Sequence, residues 1–130
     1  MSSACPIGNP QPGPLTILVA EDDILLRMAT TDELRKQGFN VAEATNADEA
    51  LSIVQSGIPI HLVLTDSRMP STQEGASLAA TIRAEYPDIK VIVASGQADA
   101  DQPGQQVDGF LKKPYDLVQL VGLIKALLDS

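Results

Sequence analysis

At 130 residues the chain is long enough for one domain that buries roughly two thirds of its unfolded surface, so it needs neither a disulfide nor a structural metal for stability. A net charge of −8 opposes binding to nucleic acid or to an anionic bilayer and favours cationic or metal partners. The single cysteine, Cys5, excludes an intrachain disulfide, and with no membrane-length apolar stretch and no secretory signal the expected home is the cytoplasm.

Residues 1–14 carry four prolines, two glycines and two serines without periodicity, the composition of a disordered leader, and the domain is expected over 15–130. The first apolar run, Leu15 to Ala20, stops at Glu21-Asp22-Asp23. Ile24 to Gln37 then reads as a helix, with Gly38 as a left-handed stop and Phe39 folding back on Leu34. A short strand, Asn40 to Ala44, leads to a helix capped by Asn46 and reaching Gln55, with Glu49 at the N3 position of a capping box. The second long run, Ile60 to Thr65, stops at Asp66 and is followed by Ser67-Arg68-Met69-Pro70. A helix from Gly75 to Glu85, ended by Pro87, precedes the run Ile89 to Ala94, which enters Ser95-Gly96. The last short run, Gly109 to Leu111, leads to Lys112-Lys113-Pro114. From Asp116 to Leu128 apolar residues recur at core spacing, and Val118 and Leu123 widen that stripe beyond what packing on a sheet requires.

Near-continuous β-branched runs suit strands buried on both faces, and their alternation with helical segments predicts a parallel sheet covered by helices. In such a sheet the ligand crevice lies beyond the carboxyl ends of the strands. Glu21, Asp22, Asp66, Ser95 and Lys113 all sit at those ends. Each has a plainer explanation taken alone, as a helix cap, a turn residue or a solvated lysine. Their joint placement is what points to one site. Three carboxylates within about 4–6 Å repel by roughly 3–4 kcal/mol per pair at an effective dielectric of about 20, so a cation is required. Carboxylates and water suit Mg²⁺ or Mn²⁺, whereas zinc would want His or Cys, and His61 reads as a strand residue. Mg²⁺ is usually held by one or two carboxylates together with phosphate oxygens, so a phosphoryl group is the expected guest.

The segments Ile17 to Asp23, Leu64 to Pro70, Val93 to Gly96 and Phe110 to Pro114, in that order, resemble the receiver domain of two-component response regulators over residues 15–129. The resemblance implies a doubly wound, flavodoxin-like five-stranded parallel sheet of order 2-1-3-4-5 with five helices. It implies that Asp66 takes a phosphoryl group from a histidine kinase or histidine phosphotransfer protein, forming an aspartyl phosphate. Asp22 and Glu21, with Asp66 and the backbone carbonyl of Arg68, would hold Mg²⁺ (or Mn²⁺). Lys113 would act as a point charge on the phosphoryl oxygens. Ser95 would donate its hydroxyl to one of them, and Phe110 would turn inward as the switch toward a downstream protein that the sequence does not name. Asp23 falls outside the acidic pair and keeps the helix-cap role.

Two features depart from the family pattern. Seventeen residues separate Ser95 from Lys113, including Pro103 and Gly104, so the fourth helix of the fold is expected to be short or irregular. The loop after Asp66 carries one residue more than usual. Arg68 and Gln97 lie two positions beyond Asp66 and Ser95 and are expected to flank the route of attacking water and tune the lifetime of the aspartyl phosphate. Met1 and the terminal helix favour a complete protein that signals or relays without enzyme activity beyond its own phosphorylation and dephosphorylation. The competing class is a receiver-like interaction module that is never phosphorylated. A metal-dependent phosphohydrolase would want a second Asp where Arg68 stands, and flavin phosphate would be repelled by the acidic strand ends.

Overall fold

The computed structural model describes residues 15–66, 75–95 and 107–129. In chain order the elements are β1 (Thr16–Ala20), α1 (Ile24–Lys36), β2 (Asn40–Ala44), α2 (Ala47–Gln55), β3 (Leu62–Asp66), α3 (Gly75–Glu85), β4 (Lys90–Ser95), β5 (Gly109–Lys112) and α4 (Leu117–Asp129). The five strands are parallel in the order β2-β1-β3-β4-β5, as expected. The expected fourth helix of the fold falls on 96–106, and the leader on 1–14; both lie outside the described residues.

Side chains alternate between the two faces of each strand, and both faces are covered. Leu18, Val63, Val91 and Val93 pack under Ala50 and Val54 of α2 and Leu78 and Ile82 of α3. Ile17, Val19, Leu62, Leu64 and Ile92 pack under Leu34 of α1 and Leu120 and Ile124 of α4. This two-sided burial is why the strands read as continuous apolar runs instead of alternating ones.

The helix ends follow the local chemistry closely. Asp23 caps α1 by accepting from the N–H groups of Leu25 and Leu26 at 3.0 and 3.1 Å. At the other end Gly38, at φ +96°, lets its own N–H reach the Arg35 carbonyl and the Phe39 N–H reach the Leu34 carbonyl, a Schellman closure. Asn46 caps α2 through the Glu49 N–H at 2.7 Å. The expected capping box is shifted by one residue: the Glu49 carboxylate accepts from the N–H and hydroxyl of Thr45, not from the cap residue's own N–H. Those bonds hold the Glu49 carboxyl below its ordinary value.

β3 begins at Leu62, two residues later than the apolar run suggests, because His61 is used differently. Its Nδ1 accepts the Thr16 N–H at 3.0 Å, and its own N–H donates to the Thr16 carbonyl. The ring therefore satisfies a backbone donor at the amino end of the sheet, the end opposite Asp66. On α4, Leu123 packs into the core cluster beneath that helix, so the wide stripe is largely core; Val118 is left 79% exposed.

Candidate functional site

The registers bring the carboxyl ends of four strands level. Ala20 pairs with Thr65, Asp66 with Ala94, and Ser95 with Lys112, so Glu21 follows β1, Asp66 ends the neighbouring β3, and Lys113 follows β5, on the far side of β4. Glu21 is 5% exposed and Asp66 8%, and the other buried polar side chains among the described residues are threonines. Burying two carboxylates side by side is costly unless a cation meets them. Lys113 does so: its Nζ donates to Asp66 Oδ2 at 2.6 Å and to Glu21 Oε1 at 3.0 Å. The second Glu21 oxygen accepts the Asp23 N–H at 3.0 Å, so the loop that caps α1 also holds the acid.

Burial raises the Glu21 carboxyl above its ordinary value, and the bonds from the Asp23 N–H and from Lys113 offset this in part. Burial also works against the Lys113 ammonium, but its hydrogen bonds to Asp66 and Glu21 and the charges of both outweigh it, so Lys113 is raised and stays protonated at neutral pH.

Asp22 stands exposed at the mouth, and Glu21, Asp22 and Asp66 each offer one carboxylate oxygen within 4.8 Å of the others. Three hard oxygen donors, with no His or Cys among them, fit Mg²⁺ or Mn²⁺.

The structure thus brings together Glu21, Asp22, Asp66 and Lys113. Ser95 ends β4 beside Lys112, which places its backbone at the same edge. Its side chain, and the residues Arg68 and Gln97, lie outside the described residues. Phe110 is half-buried, packed with Val107 against the α2–α3 side of the sheet, while its neighbour Leu111 packs toward α4.

Three residues near the site escaped the sequence reading. Tyr115 lies close enough to feel the charges of Glu21, Lys113 and Asp66; burial raises its phenol above the ordinary value, and its hydroxyl lies 3.5 Å from Thr30 Oγ1. Arg27 of α1 donates from Nη1 to the Glu21 carbonyl at 2.7 Å. A basic residue one turn into a helix that follows an acidic run is the signal that could have pointed to Arg27. For Tyr115 and Thr30 no such signal exists, because they are 85 positions apart.

Comparison with known proteins agrees with this geometry. The family model described as "response regulator receiver domain" matches residues 17–125. The chain is 35% identical over 123 residues to a sensor kinase CckA of Brucella abortus, covering 91% of this chain and 13% of the kinase. It is 35% identical over 118 residues to the response regulator RR06 of Streptococcus pneumoniae, covering 88% of this chain and 53% of that protein. The chain therefore spans about half, or much less, of the curated relatives it matches. Among solved structures, a response regulator receiver protein from Sinorhizobium medicae superposes with a TM-score of 0.84 at 28% identity, covering 90% of this chain and 96% of that one. The response regulator TrrA of Thermotoga maritima, solved in complex with Mg²⁺ and BeF, gives a TM-score of 0.80 at 28% identity, covering 87% of this chain and 98% of that one.

Proposed function

The chain belongs to the response regulator receiver family, and we propose that within it Asp66 is the acceptor of a phosphoryl group delivered from the phosphohistidine of a histidine kinase or histidine phosphotransfer protein. An Asp66 carboxylate oxygen attacks phosphorus, the P–N bond to the donor imidazole breaks, and the imidazole leaves with the electron pair and takes up a proton. The observation that carries this reading is the Lys113 ammonium bonded at once to Asp66 and Glu21 inside an acidic cluster drawn from separate strands.

Glu21, Asp22 and Asp66, with the Arg68 carbonyl, are the residues that would hold Mg²⁺, whose charge offsets that of the transferring group. After transfer, Glu21, Asp22 and a phosphoryl group of about −2 total about −4, against +3 from Lys113 and one divalent ion. The site is then nearly neutral. Lys113, already ionised, has to swing from the carboxylate oxygen to a phosphoryl oxygen attached to it, a short movement for a flexible stem. Ser95 is assigned as the hydroxyl donor to a second phosphoryl oxygen, and Phe110 as the aromatic group that repacks when Ser95 moves. Arg68 and Gln97 are assigned to the route of hydrolytic water. The product signals by its altered surface, or passes the phosphoryl group on.

Incubation with acetyl phosphate and Mg²⁺, followed by intact-mass measurement, tests the reading. Gain of one hydroxylamine-labile phosphoryl group by the wild type, and none by Asp66→Asn or by a chelated sample, is the expected result. Failure with acetyl phosphate and no binding of beryllofluoride would instead indicate an interaction module that is not phosphorylated.

A further inference from the structure

Arg27 is not one of the acids or their counter-ion, yet it grips the backbone from which two of those acids project. Its own N–H bonds to the Asp23 carbonyl at 2.8 Å in the first turn of α1. The side chain runs back toward the helix N-terminus, the direction long helical side chains take, and Nη1 meets the Glu21 carbonyl at 2.7 Å. Nε donates to Glu43 Oε1 of β2 at 3.2 Å, and the guanidinium side chain is 13% exposed. Arg35 reaches the other Glu43 oxygen at 3.3 Å without touching Glu21.

Glu21 is thereby pinned at every polar group. Its N–H donates to the Ala44 carbonyl at 3.0 Å, its carbonyl accepts from Arg27, and its two carboxylate oxygens accept from Lys113 and from the Asp23 N–H. The Glu21 carbonyl shares a planar peptide unit with the nitrogen of Asp22. Fixing that oxygen fixes the plane, and so the direction in which the exposed Asp22 side chain leaves the loop. The partners that orient metal ligands matter nearly as much as the ligands.

We infer that Arg27, held in place by Glu43, is a positioning residue of the acidic site: it fixes the Glu21–Asp22 peptide and so sets the geometry in which these two acids take a divalent cation. The second half of this inference rests on the phosphoacceptor reading; the first does not. Arg35→Met is the control, since it removes the other Glu43 ion pair, together with the Arg35 bond to the Val41 carbonyl, and leaves the Glu21 carbonyl bond intact.

The test compares wild type, Arg27→Met, Arg27→Lys and Arg35→Met by amide NMR in chelator and then by Mg²⁺ titration. In chelator the Asp22 amide resonance should shift and broaden in Arg27→Met and stay in place in Arg35→Met. Mg²⁺ affinity should weaken about tenfold in Arg27→Met and by less than about twofold in Arg35→Met, with partial recovery in Arg27→Lys, whose ammonium can still donate to a carbonyl. An unmoved Asp22 amide in Arg27→Met, or equal loss of Mg²⁺ affinity in Arg27→Met and Arg35→Met, would overturn the inference. A wild-type chain that binds no Mg²⁺ while its Asp22 amide still depends on Arg27 would overturn the phosphoacceptor reading and support the peptide-fixing role.

Discussion

Replacing Lys113 with Met keeps most of the stem and removes the charge that faces Asp66 at 2.6 Å and Glu21 at 3.0 Å. Two carboxylates, 5% and 8% exposed, then confront each other with oxygens no more than 4.8 Å apart. At an effective dielectric of about 20 that repulsion is about 3.5 kcal/mol. Removing one partner of a buried ion pair costs about 3–5 kcal/mol in general, the same magnitude by a separate route. The metal-free variant should therefore lose about 3 kcal/mol at pH 7.5, which at a urea m-value near 2 kcal/mol/M lowers the unfolding midpoint by about 1.5 M. If the variant relieves the repulsion by protonating Glu21, the gap from wild type should shrink toward acid by up to about 1.4 kcal/mol per pH unit. The ammonium also competes with a cation for the same oxygens, so the variant should bind Mg²⁺ more tightly than wild type while being less stable without it. Urea unfolding in chelator and in Mg²⁺ reads both effects. A variant within about 0.5 kcal/mol of wild type in chelator, a scatter typical of surface changes, would refute this electrostatic reasoning.

The raised Glu21 carboxyl makes a separate prediction with a definite sign. Its folded value lies above the ordinary 4.5, so the unfolded chain releases the proton first, and stability present below 4.5 is lost as pH rises through the folded value. In chelator the stability difference between wild type and Glu21→Gln should therefore move in favour of Gln from pH 4.5 upward; movement the other way counts against it. Asp108 accepts the Val91 N–H at 2.8 Å and pairs with Arg83 at 3.1 Å, so Asp108→Ala should cost about 1–3 kcal/mol and speed exchange of the Val91 amide. A Cβ on Gly109 would lie 3.0 Å from Leu123 Cδ2 and 3.3 Å from Ile92 Cγ1, so Gly109→Ala should cost about 1–3 kcal/mol by pushing α4 off β5; unchanged stability would show that Leu123 moves aside freely.

Much of this was legible in the sequence, for identifiable reasons. Two-sided burial writes itself as apolar runs, so β1, β3 and β4 and the polar residues that end them could be placed. Gly38 and Phe39 closed α1, and Asp23 and Asn46 opened α1 and α2, because these bonds are local. What escaped depends on contacts across long stretches of chain. Arg83 and Asp108 are 25 positions apart, and neither carries a mark of the other. The late start of β3 is of the same kind, since the side chain of His61 meets a backbone donor 45 positions away. Arg27 and Glu43 are 16 positions apart on different elements, and only the fold sets them side by side.

The central claim is that Asp66 carries the phosphoryl group, and chemical trapping tests it most directly. The chain is treated with acetyl phosphate and Mg²⁺, reduced with borohydride, digested and sequenced by mass spectrometry. The account predicts homoserine at position 66, dependent on Mg²⁺ and lost when Lys113→Met is used with the same donor. Homoserine at Asp22, 2-amino-5-hydroxypentanoic acid at Glu21, or neither product at any position in a chain that demonstrably binds Mg²⁺ and beryllofluoride, would contradict it.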